Sequence, residues 1–232
     1  VYNAFGEAVL NFSGRSGWSN GPFFASPAIG DVFGDSELEI SFPKVSGEVS
    51  LVDFVGGGQK DLSFLKHSSG WNTKTLLFDL NGDGKKDVLA HSSFNNCSFF
   101  DFVTFDGEIF SSLAGWPKTV CADEGVIYPV DCAVGDLNNN GEIEIVCVNI
   151  YKPFGGDSYS DVPVIYVFDS LGRTINNFTI QRFSPSKPLR LDAREIVLAD
   201  VNSDGFLEIG ISLREGLGYE IALFLNSSGG VL

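Results

Sequence analysis

Three copies of a nine-residue acidic loop constrain this chain more tightly than any other feature. Asp79-Leu80-Asn81-Gly82-Asp83-Gly84-Lys85-Lys86-Asp87 is followed by Asp136-Leu137-Asn138-Asn139-Asn140-Gly141-Glu142-Ile143-Glu144. The third copy is Asp200-Val201-Asn202-Ser203-Asp204-Gly205-Phe206-Leu207-Glu208. Each reads D-x-N-x-[DN]-G-x-x-[DE], which sets oxygen-bearing side chains at positions 1, 3, 5 and 9. Alternate residues of a tight loop aim such oxygens at one centre, and a hard cation such as Ca2+ takes six to eight of them at about 2.3–2.6 Å. The glycine at position 6 supplies a turn that residues with side chains resist.

An EF-hand is the first assignment to test, and the flanks argue against it. That motif needs a bidentate Glu at position 12 and a helix on each side. Position 12 is Ala90, Cys147 and Ile211, none of them an acid. The flanks are short apolar runs: Thr75-Leu76-Leu77-Phe78 before the first loop, and Glu195-Ile196-Val197-Leu198-Ala199 before the third. Each loop therefore reads as strand, loop, strand.

A longer repeat surrounds the loops. Their first aspartates fall at 79, 136 and 200, and a degenerate copy starts at Asp31, giving spacings of 48, 57 and 64 residues. After each loop comes a second strand, then a third such as Val162-Pro163-Val164-Ile165-Tyr166-Val167-Phe168-Asp169, a glycine-containing turn and a fourth. Gly70-Trp71 and Gly115-Trp116-Pro117 close two of these units, and Gly17-Trp18 follows an N-terminal partial one. Four strands in roughly 50 residues is the period of a propeller blade.

On these residues the chain resembles the FG-GAP/VCBS repeat β-propellers, the group that includes the integrin α-subunit propeller. The resemblance covers nearly all of it. It implies an all-β propeller of four-stranded blades, with Ca2+ in the hairpin between the first two strands of a blade. Carried over, the ligand sets are Asp79, Asn81, Asp83 and Asp87; Asp136, Asn138, Asn140 and Glu144; and Asp200, Asn202, Asp204 and Glu208. Lys85, Glu142 and Phe206 would offer backbone carbonyls from position 7. The Asp31 copy departs from the pattern, with Phe33 at position 3 and Ser36 in place of the glycine, so no metal is expected there. The Phe-Gly and Gly-Ala-Pro signatures are poorly kept, Phe154-Gly155-Gly156 being a distant echo.

Four blades are expected within a single domain or segment spanning 1–232, at about 27–65, 73–116, 129–181 and 194–232. Residues 1–13 look like the third and fourth strands of a preceding blade. Three arrangements fit: a segment of a larger propeller, a closed four-bladed ring completed by the N-terminal strand, or edges paired between chains. The chain has no Met, which suggests a processed or excised piece.

At 232 residues and 44% apolar content, the chain can bury a substantial core. No run approaches the ~20 apolar residues of a membrane span, and none of these residues reads as a signal peptide. A formal net charge of −15 argues against binding nucleic-acid phosphates. Eight of the 30 acids occupy the loop ligand positions. Three Ca2+ would offset about six charges.

Four cysteines are compatible with an oxidising, extracellular or cell-surface location. Cys132 and Cys147 flank the second loop, where a hairpin can bring them onto facing strands. In a blade layout, Cys97 and Cys121 fall in two loops on the opposite face. Pairs 97–121 and 132–147 are preferred among three connectivities, with free buried thiols the alternative. Sequons for glycosylation occur at Asn11, Asn96, Asn177 and Asn226.

Catalytic constellations are missing, so an enzyme is not expected. His67 and His91, the only histidines, sit in no zinc-like or triad-like spacing. The recurring Gly-Trp pairs read as packing between blades rather than as sugar platforms. The favoured function is an extracellular adhesion, binding or surface-assembly module, with a carbohydrate-active propeller (a lectin or a polysaccharide lyase) and an architectural spacer as alternatives. A protein or glycan partner, or self-assembly, is expected on the face opposite the metal loops. There the longest irregular segments are expected at 114–128, 149–161 and 183–194, with Tyr151, Phe154 and Tyr159 beside Asp157 and Asp161.

Overall fold

The computed structural model of the chain describes residues 27–43, 49–53, 59–62, 75–155, 161–180, 191–215 and 219–230. Among these, every regular element is a strand. The first sheet holds β1 (Ala28–Gly30), β2 (Glu39–Pro43), β3 (Val49–Asp53) and β4 (Gln59–Leu62). The second holds β5 (Thr75–Phe78), β6 (Asp87–Phe94), β7 (Cys97–Phe105), β8 (Phe110–Ser112) and β9 (Lys118–Cys121). The third holds β10 (Gly125–Gly135), β11 (Glu144–Pro153), β12 (Val162–Asp169) and β13 (Thr174–Thr179). The fourth holds β14 (Leu191–Ala199), β15 (Glu208–Glu215) and β16 (Tyr219–Leu225).

Each sheet is an antiparallel meander in which strands pair in chain order, except that β9 pairs with β7 and not with β8. The expected partial unit at 1–13 lies outside the described residues, as do Trp18, His67 and Trp71.

The period-2 alternation of side chains decides how the sheets stack. In β6, Val88 and Ala90 join Val49 and Leu51 of the first sheet, while Leu89 packs with Phe168 of the third. In β11, Ile145 and Cys147 join Phe100 and Phe102 of the second sheet. Val146, Val148 and Ile150 face the other way, onto Ile196, Ile209 and Ile211 of the fourth. Residues at positions 10 and 12 of the loop numbering thus face the preceding sheet, and positions 11 and 13 the following one. A sheet covered on both faces explains why the first half of β11, residues 145–148, reads as a continuous apolar run rather than an alternating one.

The first strands adjoin in order, β1 against β5, β5 against β10 and β10 against β14.

The second sheet runs on to Cys121, past residue 116 where the glycine-tryptophan-proline signal had placed its end. Its outer strand is split: β8 pairs with the Val103–Phe105 half of β7 and β9 with the Cys97–Phe100 half. Between the halves, Trp116 leaves the strand line and turns inward, 6% exposed. It packs edge-on against Phe102 at 5.1 Å and Phe168 at 5.9 Å. The packing role expected of the Gly-Trp pairs therefore holds at Trp116.

The third sheet begins at Gly125 rather than at 129, and the fourth at Leu191 rather than at 194. The segment 114–128 is accordingly not an irregular loop: β9 and the start of β10 occupy most of it. Residues 149–153 likewise continue β11, and 191–194 belong to β14.

Two disulfides form, Cys97–Cys121 and Cys132–Cys147. Both are cross-strand pairs, β7 with β9 and β10 with β11, so Cys97 and Cys121 lie at strand ends and not in loops. Such pairs are a feature of chains that mature in an oxidising compartment. Among the described residues, no helix is long and apolar enough to cross a membrane.

Candidate metal centre

All four acidic loops join the first and second strands of their sheets: β1 to β2, β5 to β6, β10 to β11 and β14 to β15. They share one backbone. Positions 4 and 6 are left-handed in every copy, as Gly34 and Ser36, Gly82 and Gly84, Asn139 and Gly141, and Ser203 and Gly205, with φ from 54° to 89°. Position 4 carries no weight in the sequence pattern, yet its occupants are Gly, Gly, Asn and Ser. These are small residues or local hydrogen bonders, and Gly and Asn in particular tolerate positive φ. That was the available signal.

Side-chain oxygens wind the loop around itself. Asp79 accepts the backbone N–H groups of Gly82, Asp83 and Gly84 at 2.7, 3.1 and 2.9 Å. Asp136 accepts from Asn140 and Gly141 at 3.0 and 2.7 Å. Asp200 does the same with Asp204 and Gly205 at 3.1 and 3.0 Å.

The position 5 side chain takes the N–H of position 7: Lys85 donates to Asp83, Glu142 to Asn140 and Phe206 to Asp204. At position 3, Asn81 and Asn202 accept from Asp83 and Asp204, while the amide of Asn138 donates to Glu144 at 3.3 Å. At position 9, Asp87, Glu144 and Glu208 accept the N–H of Leu80, Leu137 and Val201 at 2.8, 2.8 and 2.9 Å. Each sequence-derived ligand set is thus gathered on one loop and held by its own backbone.

The acid at position 9 is the buried one. Asp87, Glu144 and Glu208 are nearly inaccessible, while the other loop acids are exposed or half-exposed. Oδ1 of Asp87 is buried with no hydrogen-bond partner. Burial pushes the carboxyls of Asp87 and Glu144 above the usual range, against the pull of the backbone N–H groups they accept. A carboxylate oxygen held inside without a partner is costly. Oε1 of Glu39 in the Asp31 loop is orphaned in the same way, so the second loop is matched to Ca2+ by its oxygen-only donor set rather than by this oxygen. The third and fourth fit on their donor sets, which are oxygen-only and hard. No group of three or more His, Cys, Asp or Glu side chains converges into a cage among the described residues.

The Asp31 loop has the same fold and a different interior. Asp31 accepts from Gly34 and Ser36 at 2.6 and 2.9 Å, and Glu39 from Val32 at 2.7 Å. Ser36 adopts the left-handed conformation at φ 70°, so its replacement of glycine does not break the turn. Phe33 is the real departure. At position 3 it packs against Phe105 at 5.0 Å and Phe110 at 6.1 Å, giving a hydrophobic contact where the others have an amide oxygen.

Neighbouring loops touch. Lys86 donates its backbone N–H to the carbonyl of Asp31 at 2.7 Å, and Leu207 to that of Leu137 at 3.2 Å. The loops form one face of the stacked sheets. Elsewhere, His91 is 2% exposed and stacks on Phe100, which suits a core histidine. Phe154 is exposed, Tyr151 donates its hydroxyl to the carbonyl of Glu124, and Tyr159 and Asp157 lie outside the described residues. Asn177 is exposed on β13, and the amide oxygen of Asn226 accepts from Ser228 and Gly230 within its own turn.

No protein-family model matches the chain, and no curated protein matches it.

Proposed function

We propose that the chain is an extracellular calcium-binding β-propeller, or a segment of one, of the FG-GAP/VCBS kind. In this reading it acts as an adhesion, binding or surface-assembly module. The observation that carries it is the fourfold recurrence of one left-handed loop between the first and second strands of successive stacked meanders. Three copies keep oxygen at positions 1, 3, 5 and 9. The adjoining first strands and face-to-face stacking support blades around a common axis.

The metal would sit on Asp79, Asn81, Asp83 and Asp87, on Asp136, Asn138, Asn140 and Glu144, and on Asp200, Asn202, Asp204 and Glu208. Carbonyls of Lys85, Glu142 and Phe206 complete the sets. When bound, Ca2+ supplies charge compensation and rigidity. The chain's own residues pre-form the loop and bury the position 9 acid beneath it. Rigid loops on one face leave the other face for a partner. Two disulfides support secretion.

Isothermal titration of chelator-treated protein with CaCl2 tests the reading. Three sites support it; heat of dilution alone removes its basis.

A further inference from the structure

We propose that Asn177 carries an N-linked oligosaccharide and that this glycan caps an otherwise bare sheet edge. The inference rests on the extracellular reading above, because such glycans belong to secreted chains.

Asn177, Phe178 and Thr179 form an Asn-x-Thr sequon on β13. Side chains alternate along a strand. Asn176 points to the fourth sheet, where its amide donates to the carbonyl of Ser227 at 3.2 Å. Phe178 points the same way and packs on the core shared with that sheet. Asn177 and Thr179 therefore point to the other side, and both are exposed. Among the described residues, neither of these two side chains makes a hydrogen bond.

The fold withdraws the two other sequons within the described residues. Asn96 sits left-handed at φ 66° in the β6–β7 turn, and its carbonyl accepts the N–H of Ala122 at 3.0 Å. Its middle residue, Cys97, is bonded to Cys121, and its hydroxyl residue, Ser98, is fully buried. Asn226 is half-buried, and its Oδ1 accepts the Ser228 hydroxyl at 2.7 Å. A Cβ at Gly230 would stand 3.0 Å from Nδ2 of Asn226, the atom that would carry the sugar. Of these three sequons, Asn177 alone presents both its acceptor amide and its hydroxyl residue to solvent.

A second, independent observation calls for a cap. β13 is the outermost strand of the third sheet. Its sequence, Thr174-Ile175-Asn176-Asn177-Phe178-Thr179, holds no charge, proline or glycine. An exposed segment of that kind is a template for pairing with another chain. A bulge at Ile175 disturbs one end only, and residues 176–179 pair regularly with 164–167. The other outer strands carry devices of their own. Lys60 and Asp61 lie on β4 and Glu220 on β16. The outer edge of the second sheet is broken between β8 and β9, and Lys118 lies on the latter. A bulky, solvated glycan at Asn177 does for β13 what charge does for the others.

The donor is a lipid-linked oligosaccharide pyrophosphate. Nδ2 of Asn177 forms the new bond to C1 of the first sugar, and the bond from C1 to the phosphate oxygen breaks. The amide gives up one proton and the lipid pyrophosphate leaves, with no oxidant or reductant involved.

The experiment maps glycopeptides by mass spectrometry on the full chain, secreted from cells whose secretory pathway glycosylates asparagine. Glycan should be found at Asn177 and not at Asn96 or Asn226. Asn177→Gln and Thr179→Ala should each remove the whole mass increment from that peptide, whereas Thr179→Ser should keep it. Circular dichroism checks that each variant stays folded. On prolonged incubation, Asn177→Gln should gain light scattering and thioflavin fluorescence faster than wild type. Asn177→Lys, which lacks the glycan but charges the same edge, should return to the slow rate. An unmodified Asn177, or a preference for Asn96 or Asn226, overturns the assignment. Equal aggregation of wild type and Asn177→Gln, or no recovery with Asn177→Lys, overturns the capping role. Titrating the same samples with CaCl2 keeps the two readings apart: a glycosylated chain that never binds calcium leaves Asn177 standing and removes the calcium reading.

Discussion

The indole N–H of Trp116 donates to the carbonyl of Ser170 at 3.1 Å, tying the split outer strand of the second sheet to the β12–β13 turn of the third. Gly115, beside it, is left-handed at φ 89°, and a Cβ there would stand 2.1 Å from the Leu171 carbonyl oxygen. The contact is a close approach of two backbones with an aromatic anchor beneath.

Trp116→Ala should destabilise the fold by about 3–5 kcal/mol, the cost of a large buried aromatic. Trp116→Phe keeps most of the packing and loses the hydrogen bond, for about 1 kcal/mol from that bond alone. Urea melts of the two variants would check the order. Equal effects would mean the hydrogen bond, not the packing, secures the two sheets.

Asp101 sets a pH dependence. It is 2% exposed, accepts the Ser112 hydroxyl at 2.8 Å on Oδ2 and has no partner on Oδ1. Burial pushes its carboxyl up to about 6. The folded value lies above the unfolded one, near 3.9, so the protonated form is favoured in the fold. Its stabilising contribution is therefore complete below about pH 4 and is lost as pH rises through about 6. Asp101→Asn should raise stability at pH 7 by about 1–3 kcal/mol and flatten the profile between those values. Melting temperatures measured from pH 4 to 7 in wild type and variant would show it. A variant no more stable at pH 7 refutes the assignment.

The two disulfides should open in order. Cys121 is exposed, whereas Cys132 is 4% exposed and Cys147 fully buried between sheets. Graded reductant should open Cys97–Cys121 first, as read by alkylation and mass spectrometry. Loss of Cys132–Cys147, with a sequence separation of 15, should cost about 3 kcal/mol on the chain-entropy estimate. Simultaneous opening would show that reduction follows global unfolding.

The acidic loops are legible because oxygen ligands recur at alternate residues whatever the surroundings. Strand order followed from the same repeat: once each loop joins two apolar runs, a meander is the short-range solution. The preferred cysteine pairs also form: Cys132 and Cys147 flank a hairpin loop and face each other, whereas Cys97 meets Cys121 because β9 pairs with β7. The split strand β8–β9 was hidden. Gly115-Trp116-Pro117 looks like an ending, and only the packing of Trp116 against Phe102 and Phe168 lets the strand resume at Lys118. Asp123 and Glu124 read as an open loop for the same reason, although just residues 122–124 separate β9 from β10.

Calcium should bind at three sites and stabilise the fold. The Asp31 loop shares its backbone with the others, so a count of four would follow if backbone alone decided binding. Phe33 replaces the position 3 oxygen and is held by Phe105 and Phe110, so three is expected. Each site should contribute about 2.7 kcal/mol when free Ca2+ is about 100 times Kd. Chelation should accordingly lower the melting temperature. Asp200→Ala should remove one site and about a third of that shift, because it takes away a ligand and the acceptor for the Asp204 and Gly205 N–H groups. Glu39→Gln alters the buried acid of the Asp31 loop and should leave both stoichiometry and the calcium-dependent shift unchanged. An identical melting curve with and without chelator, or four equal sites by calorimetry, would defeat the prediction.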